Sequence, residues 1–255
     1  MIILSSPAKS QDFESDWKAD RTTTPEFIKE ASELVENVRN LSKTELKSLL
    51  KVSDSLADFN YKRFKVWKKK PAKSATKPAI LAYTGDVYQQ LQASMYTKNQ
   101  QEFAQQSVRI ISGLYGLLRP YDVIQPYRLE MNARLKTTEG KDLYAFWQNK
   151  LTDHLKEVLE KDSFPVVINL ASQEYSKAID FEALQVPYYF VEFRQKKAGK
   201  TGVIGLHAKK ARGMMLEHLI SCRAKSLDQV TAFHSDTYKL IGQKDNQITF
   251  EKILE

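Results

Sequence analysis

MIILSSPAK, Met1 to Lys9, is the stretch on which the architecture turns. Three apolar residues follow Met1 and give way at once to Ser5, Ser6 and Pro7, so the segment reads as a short buried strand ending in a turn. The apolar run is brief and no basic residue precedes it, which fits a first strand and not a secretory leader. A lone strand has no stability of its own. The sequence after it reads as helix, so a sheet assembled further along must take Ile2 to Leu4 back. The helical stretch, about residues 24–68, then becomes a lobe inserted after the first strand.

Within that lobe, Thr24 and Pro25 suit a cap and a first helical position, and Phe27, Ile28, Ala31, Leu34, Val35 and Val38 recur at helical spacing. Ser42 to Glu45 spells a capping box before Leu46, Leu49 and Leu50. Asp54 opens a third helix carrying Leu56, Ala57, Phe59 and Phe64. No glycine occurs before Gly85, so a glycine-dependent phosphate loop is not expected in the first third.

From Lys77 onward short apolar runs alternate with helical patterns. PAILAYTG, VRIISG, FPVVINLAS, VPYYFVEF, TGVIGLHA and QITFEKI read as strands; helices are expected near 87–93, 100–106, 143–159 and 211–223. The alternation predicts an α/β (mixed α+β) fold: a mostly parallel or mixed central sheet flanked by helices, with the N-terminal helical lobe, in one domain over residues 1–255.

At 255 residues the chain is expected to bury roughly three-quarters of the surface its unfolded form exposes. No run approaches the ~18 apolar residues of a membrane span, and the single cysteine, Cys222, excludes an internal disulfide and fits a reducing cytoplasm. The charge is uneven. Tyr61 to Lys77 carries eight Lys/Arg and no acid, and Arg194 to Arg212 carries seven and no acid; these +15 within a total of +8 leave the remainder at −7. An acidic body with two basic segments favours a polyanion meeting particular surfaces, and Tyr61, Phe64 and Trp67 interleave the first run as stacking or packing groups would. Solvated lysine loops are the plainer alternative.

Ligands of open α/β sheets gather beyond the carboxyl ends of the strands. The residues after the expected strands are Ser5 to Lys9, Thr84 to Asp86, Ser112-Gly113, Ala171-Ser172 with Glu174 nearby, and Ala208 to Lys210. Turn chemistry accounts for Ser, Gly and Asp but does not call for Lys9, Lys209 and Lys210. The irregular passage SGLYGLLRPYDVIQPYRLEM, Ser112 to Met131, joins the same edge. Gly116 can supply a positive φ, Pro120 stops any helix begun at Leu114, and an extended Tyr127 to Glu130 presents Arg128 and Glu130 on one face. Arg128 suits a phosphate or carboxylate, and Glu130 either orients it or acts as acid or base; a structural Arg–Glu pair is the alternative.

Other chemistry is sparse. His154, His207, His218 and His234 form no zinc-like spacing, and His218 with Cys222, four apart on a helix, makes an incomplete metal pair. No nucleotide-loop or hydrolase motif is present, so no catalytic activity is demanded and no cofactor is expected. Were the protein an enzyme, Asp86, Arg128 and Glu130 would be the catalytic candidates.

SPAK at 6–9, GDVY at 85–88, SGLYGLLRP at 112–120, QPYRLEM at 125–131, KDLYAFW at 141–147, INLAS at 168–172 and AKKARG at 208–213 occur in order, and together the chain closely resembles the bacterial YaaA family of peroxide-stress proteins to about Ser235. The resemblance implies a cytoplasmic protein that limits unincorporated iron and DNA damage under hydrogen peroxide. It also implies double-stranded DNA binding through a basic cleft and a helix-hairpin-helix-like element. The hairpin would fall at Leu46 to Phe64, with Lys51, Ser53, Lys62 and Arg63 as contacts, but KVSDSLA lacks the glycines that usually let backbone approach phosphate. With Lys9, Arg119, Arg128, Lys209, Lys210 and Arg212 these complete the candidate anion-binding set. The competing expectation is an enzyme acting on a nucleobase, nucleotide or other small anion at the strand ends. A monomer is favoured and no membrane partner is expected.

Overall fold

The computed structural model describes residues 1–197, 200–202 and 205–253. In chain order it comprises β1 (Ile2–Ser5), α1 (Ile28–Arg39), α2 (Lys43–Leu50), α3 (Asp54–Val66), β2 (Lys77–Pro78), α4 (Ala79–Ala82), α5 (Lys98–Ser107), β3 (Val108–Ser112), β4 (Gly116–Leu118) and β5 (Val123–Ile124). The second half adds α6 (Leu143–Leu159), β6 (Val167–Asn169), α7 (Gln173–Ser176), β7 (Tyr188–Lys197), β8 (Lys200–Gly202), α8 (Gly205–Ser221), α9 (Leu227–Thr231), β9 (Tyr238–Lys244) and β10 (Gln247–Lys252).

The sheet does take the first strand back. Its order is β4-β3-β1-β6-β7-β10-β9, with β8 pairing off β7, so β1 lies between β3 and β6 and is parallel to both. β6–β7 and β7–β10 are also parallel, while the flanking pairs β3–β4, β9–β10 and β7–β8 are antiparallel. A central parallel strand is covered on both faces, which is why Ile2, Ile3 and Leu4 are apolar without alternation and wholly buried.

The three lobe helices form where their start signals place them. Ser42 accepts from the Glu45 amide while Glu45 reaches back to the Ser42 amide, completing the capping box, and Ser53 caps α3. Leu34, Val35, Leu46 and Phe64 join the same hydrophobic cluster as the sheet. Thr24 and Pro25 do not start α1, which begins at Ile28. Thr23 bridges to Asp122, and the Thr24 carbonyl accepts from Arg119, so this segment stays outside the helix.

Three other expectations are corrected. PAILAY contains a single helical turn, α4, because its amides at Ala79 and Ile80 donate to the Asp122 and Pro120 carbonyls; a short apolar run does not reveal its period. Residues 87–93 give separate 3₁₀ turns at Tyr88–Gln90 and Ala93–Met95, interrupted where the Gln92 amide turns to Glu217. In TGVIGLHA, Val203 and Ile204 lie outside the described residues, and Gly205 already opens α8, so Lys209 and Lys210 ride on a helix and not past a strand end. No helix among the described residues is long and apolar enough to cross a membrane.

Candidate functional site

The chain leaves β1 toward β3 on one side and later runs from β6 to β7 on the other, so the order of strands reverses at β1 and β6. A crevice opens at such a switch point beyond the carboxyl ends of the strands. Here it is a cleft of about 380 Å³ lined by Ser6 to Ser10 after β1, Leu170, Ser172, Glu174 and Tyr175 after β6, the Gly85 to Tyr88 turn, and Lys209 and Arg212 of α8.

Local contacts explain why these segments meet. Thr84 donates its amide to the Ser10 carbonyl and Asp12 donates to Ala82, which ties the Gly85 turn to the loop leaving β1. Gly85 approaches Ala8 so closely that a Cβ there would lie 2.8 Å from the alanine methyl. Gly213 lets α8 ride onto the same turn, since a Cβ would overlap the Val87 carbonyl oxygen and press on Gln90. The Ser172 amide donates to Ser6 Oγ at 2.8 Å, joining the ends of β1 and β6, and Tyr88 Oη donates to the Ser6 carbonyl at 2.8 Å, tying the Gly85 turn to β1.

Beside this cleft, Arg128 grips one oxygen of Glu130 through Nε at 3.0 Å and Nη2 at 2.9 Å, and Lys9 Nζ approaches the same oxygen at 3.4 Å. The other carboxylate oxygen, Oε2, is buried with no partner among the described residues, as is Arg212 Nε. Burial lowers the pKa of Arg212, against the pull of Glu192. Beneath lies a chain of phenols: Tyr83 and Tyr127 share a hydrogen bond of 2.6 Å, and Tyr127 and Ser112 another of 2.6 Å. Burial pushes Tyr127 up to about 12 and Tyr83 and Tyr88 well above their ordinary range, so these hydroxyls stay protonated.

The signature passage resolves into a hairpin. Ser112 pairs with Gly116 across Gly113, Leu114 and Tyr115, and Gly116 takes the left-handed conformation, φ 68°, that such a loop needs. Ser112 Oγ accepts from the Leu114 and Tyr115 amides at 3.2 and 3.0 Å. Leu114 therefore starts a hairpin, not a helix. After β5 the chain returns as Tyr127 to Glu130, with Leu129 buried and Arg128 paired to Glu130 two residues on.

The structure thus brings Lys9, Asp86, Lys209 and Arg212 around one cleft with Arg128 and Glu130 alongside. Lys210 is exposed on α8 and does not line the cleft. Arg119 lies elsewhere, doubly bonded to the buried Asp122 three residues later. In the lobe, α2 and α3 are joined through Lys51, in the left-handed region, and Ser53. Lys62 pairs with Asp58, Lys47 with Asp54, and Arg63 stacks over Phe59, so much of this hairpin's charge is already answered. Of the aromatics in the first basic run, Phe64 and Trp67 are core residues, which settles their interleaving as packing. His218 Nε2 faces the Gln229 carbonyl and Cys222 Sγ the Leu219 carbonyl; among the described residues no three His, Cys, Asp or Glu side chains group as metal ligands. Ser6 and Ser172 line the cleft as residues that follow expected strands, whereas Tyr88 and Tyr175 carry no such signal, although the GDVY motif contains the first of them.

Residues 1–243 match the family described as peroxide stress protein YaaA. The chain is 41% identical over 239 residues to a UPF0246 protein of Polynucleobacter necessarius subsp. necessarius (strain STIR1), covering 94% of this chain and 93% of that protein.

Proposed function

This chain belongs to the peroxide stress protein YaaA family, and on that premise we propose that it serves the hydrogen-peroxide response by binding double-stranded DNA without sequence preference. The observation that supports this reading is the convergence of Lys9, Lys209 and Arg212 on one cleft, with Lys210 exposed beside it on α8. Shielded DNA suffers less damage in this reading. The limit on unincorporated iron rests on family membership alone.

The test is binding of labelled duplexes at increasing salt. Log affinity falls linearly with log salt, with a slope of about −0.9 per phosphate neutralised. Lys209→Ala weakens binding to every sequence alike and reduces the slope by about 1. Salt-insensitive binding, or none, rejects the reading.

A second reading, an enzyme or receptor for a small anion such as a nucleotide, is supported by the cleft's size and by its unanswered polar atoms. About 380 Å³ is a small-molecule volume. It predicts saturable calorimetric binding of a nucleoside monophosphate that Arg212→Ala weakens about tenfold, the loss of one charge-assisted contact. Absence of heat at millimolar nucleotide counts against it.

A further inference from the structure

Trp17 is a large side chain the fold does not use. It is half-buried, yet among the described residues it belongs neither to the hydrophobic core nor to the side chains packed against it. Among the described residues it has no aromatic neighbour, and its indole N–H has no protein acceptor. Trp67 and Trp147, by contrast, are buried, with indole donors bonded to Tyr115 Oη at 2.9 Å and the Gly113 carbonyl at 3.0 Å.

Trp17 borders two clefts, of about 450 and 630 Å³. The first is lined by Lys69, Lys70 and Lys73 with Thr22, Thr24 and Thr76, and contains no acid. None of those lysines pairs with an acid among the described residues. The second carries Lys18, the Asp12-paired Lys77 and one acid, Asp16.

Both supports of this arrangement are fixed. The Lys68 backbone is held at N–H and carbonyl by Gln125, at 3.0 and 2.7 Å, and the Lys73 carbonyl accepts from Thr76 at 2.8 Å. The segment carrying Trp17 is anchored before it by Asp12 and Ser15 on Lys77 and after it by Thr23 on Asp122. An indole outside the core between two clefts, one of which carries three lysines and no acid, is the combination that binds bases by stacking and phosphates by charge.

We propose that this surface binds single-stranded nucleic acid, with a base stacked on Trp17 and the adjoining phosphates met by Lys69, Lys70 and Lys73. The site is distinct from the strand-end cleft and does not depend on duplex binding there.

The experiment titrates the whole protein with a short oligothymidylate and the matching oligouridylate. Because Trp67 and Trp147 are buried, quenching of tryptophan emission reports Trp17. Saturable quenching is expected with at least one oligomer, the tighter one identifying the preferred sugar. Trp17→Ala is expected to weaken binding of a labelled oligomer about tenfold or more, while Trp17→Phe keeps most of it, as loss and retention of one stacked ring require. Lys69→Glu with Lys70→Glu should weaken oligomer binding and flatten its salt dependence. Duplex affinity should stay within twofold in Trp17→Ala, so this proposal and the duplex reading fail separately. No quenching at saturation, unchanged oligomer affinity in Trp17→Ala, or thymidine monophosphate binding as tightly as the oligomer overturns the proposal.

Discussion

Trp147→Ala lowers the free energy of unfolding by about 4 kcal/mol, the middle of the range for emptying a buried aromatic site. The ring is fully buried, meets Phe27 and Phe146 edge to face with centroids at 5.6 and 4.9 Å, and donates its indole N–H to the Gly113 carbonyl at 3.0 Å. Gly116 has no side chain where the ring lies, since a Cβ would sit 2.8 Å from Trp147 Cζ3. Alanine therefore leaves both a cavity under the β3–β4 hairpin and an unanswered buried carbonyl, and these costs add. Trp147→Phe, which keeps most of the volume but loses the donor, should cost about half as much. Urea unfolding checks both, through a lowered midpoint at an unchanged slope.

That dependence shows why the signature passage was hard to read. SGLYGLLRP contains no run long enough to display a strand period, and β4 is a short strand set by a turn, so only the left-handed glycine signalled the hairpin. β1, β3 and β6 are legible because each is a largely apolar, branched run bounded by polar or turn residues, and β10 because Ile248 and Phe250 alternate with Thr249 and Glu251. The start of α8 was not, because Gly205 and Leu206 begin a helix whose buried side includes Ala208, Ala211 and Gly213, residues too small to write a strong apolar stripe. Their smallness is what allows the helix to press on the Val87 turn.

The same limits governed the site. The rule that ligands gather beyond strand ends put Lys9, Asp86 and Lys209 in one group, and they share a cleft, although Asp86 and Lys209 arrive from a turn and a helix. Arg119 stood in the candidate set because its sequence neighbours gave no hint that Asp122 would be buried against it. Trp17 is illegible for the converse reason: an aromatic in a polar loop looks like incidental packing, and only the structure places it outside the core cluster.

Lys77→Ala is expected to cost about 2 kcal/mol, because it removes a buried ammonium whose hydrogen bonds hold Ser15 and a part-exposed Asp12. The side chain is 3% exposed; its ammonium meets Asp12 at 3.2 Å, Ser15 Oγ at 2.7 Å and the Ser15 carbonyl at 3.1 Å. Asp12 keeps the Glu14 and Ser15 amides, so it is left partnered, but the Ser15 carbonyl loses its donor and the strap loses its anchor. Hydrogen bonds, from Ser15 above all, hold the Asp12 carboxyl well below the usual range, with Lys77 a smaller cause. A lowered acid pKa stabilises the fold above the ordinary carboxylate range and gives that stability up as pH falls. The lysine's electrostatic share should therefore be constant near neutral pH and shrink only as the pH falls below the ordinary carboxylate range toward the depressed Asp12 value, so the gap between wild type and Lys77→Ala narrows below about pH 4 but keeps the part owed to Ser15. Urea midpoints across that interval measure the narrowing. Emission from Trp17, five residues beyond Asp12 on the same strap, should shift in the variant even where the chain remains folded. An unshifted spectrum would mean that the Thr23–Asp122 anchor alone holds the indole.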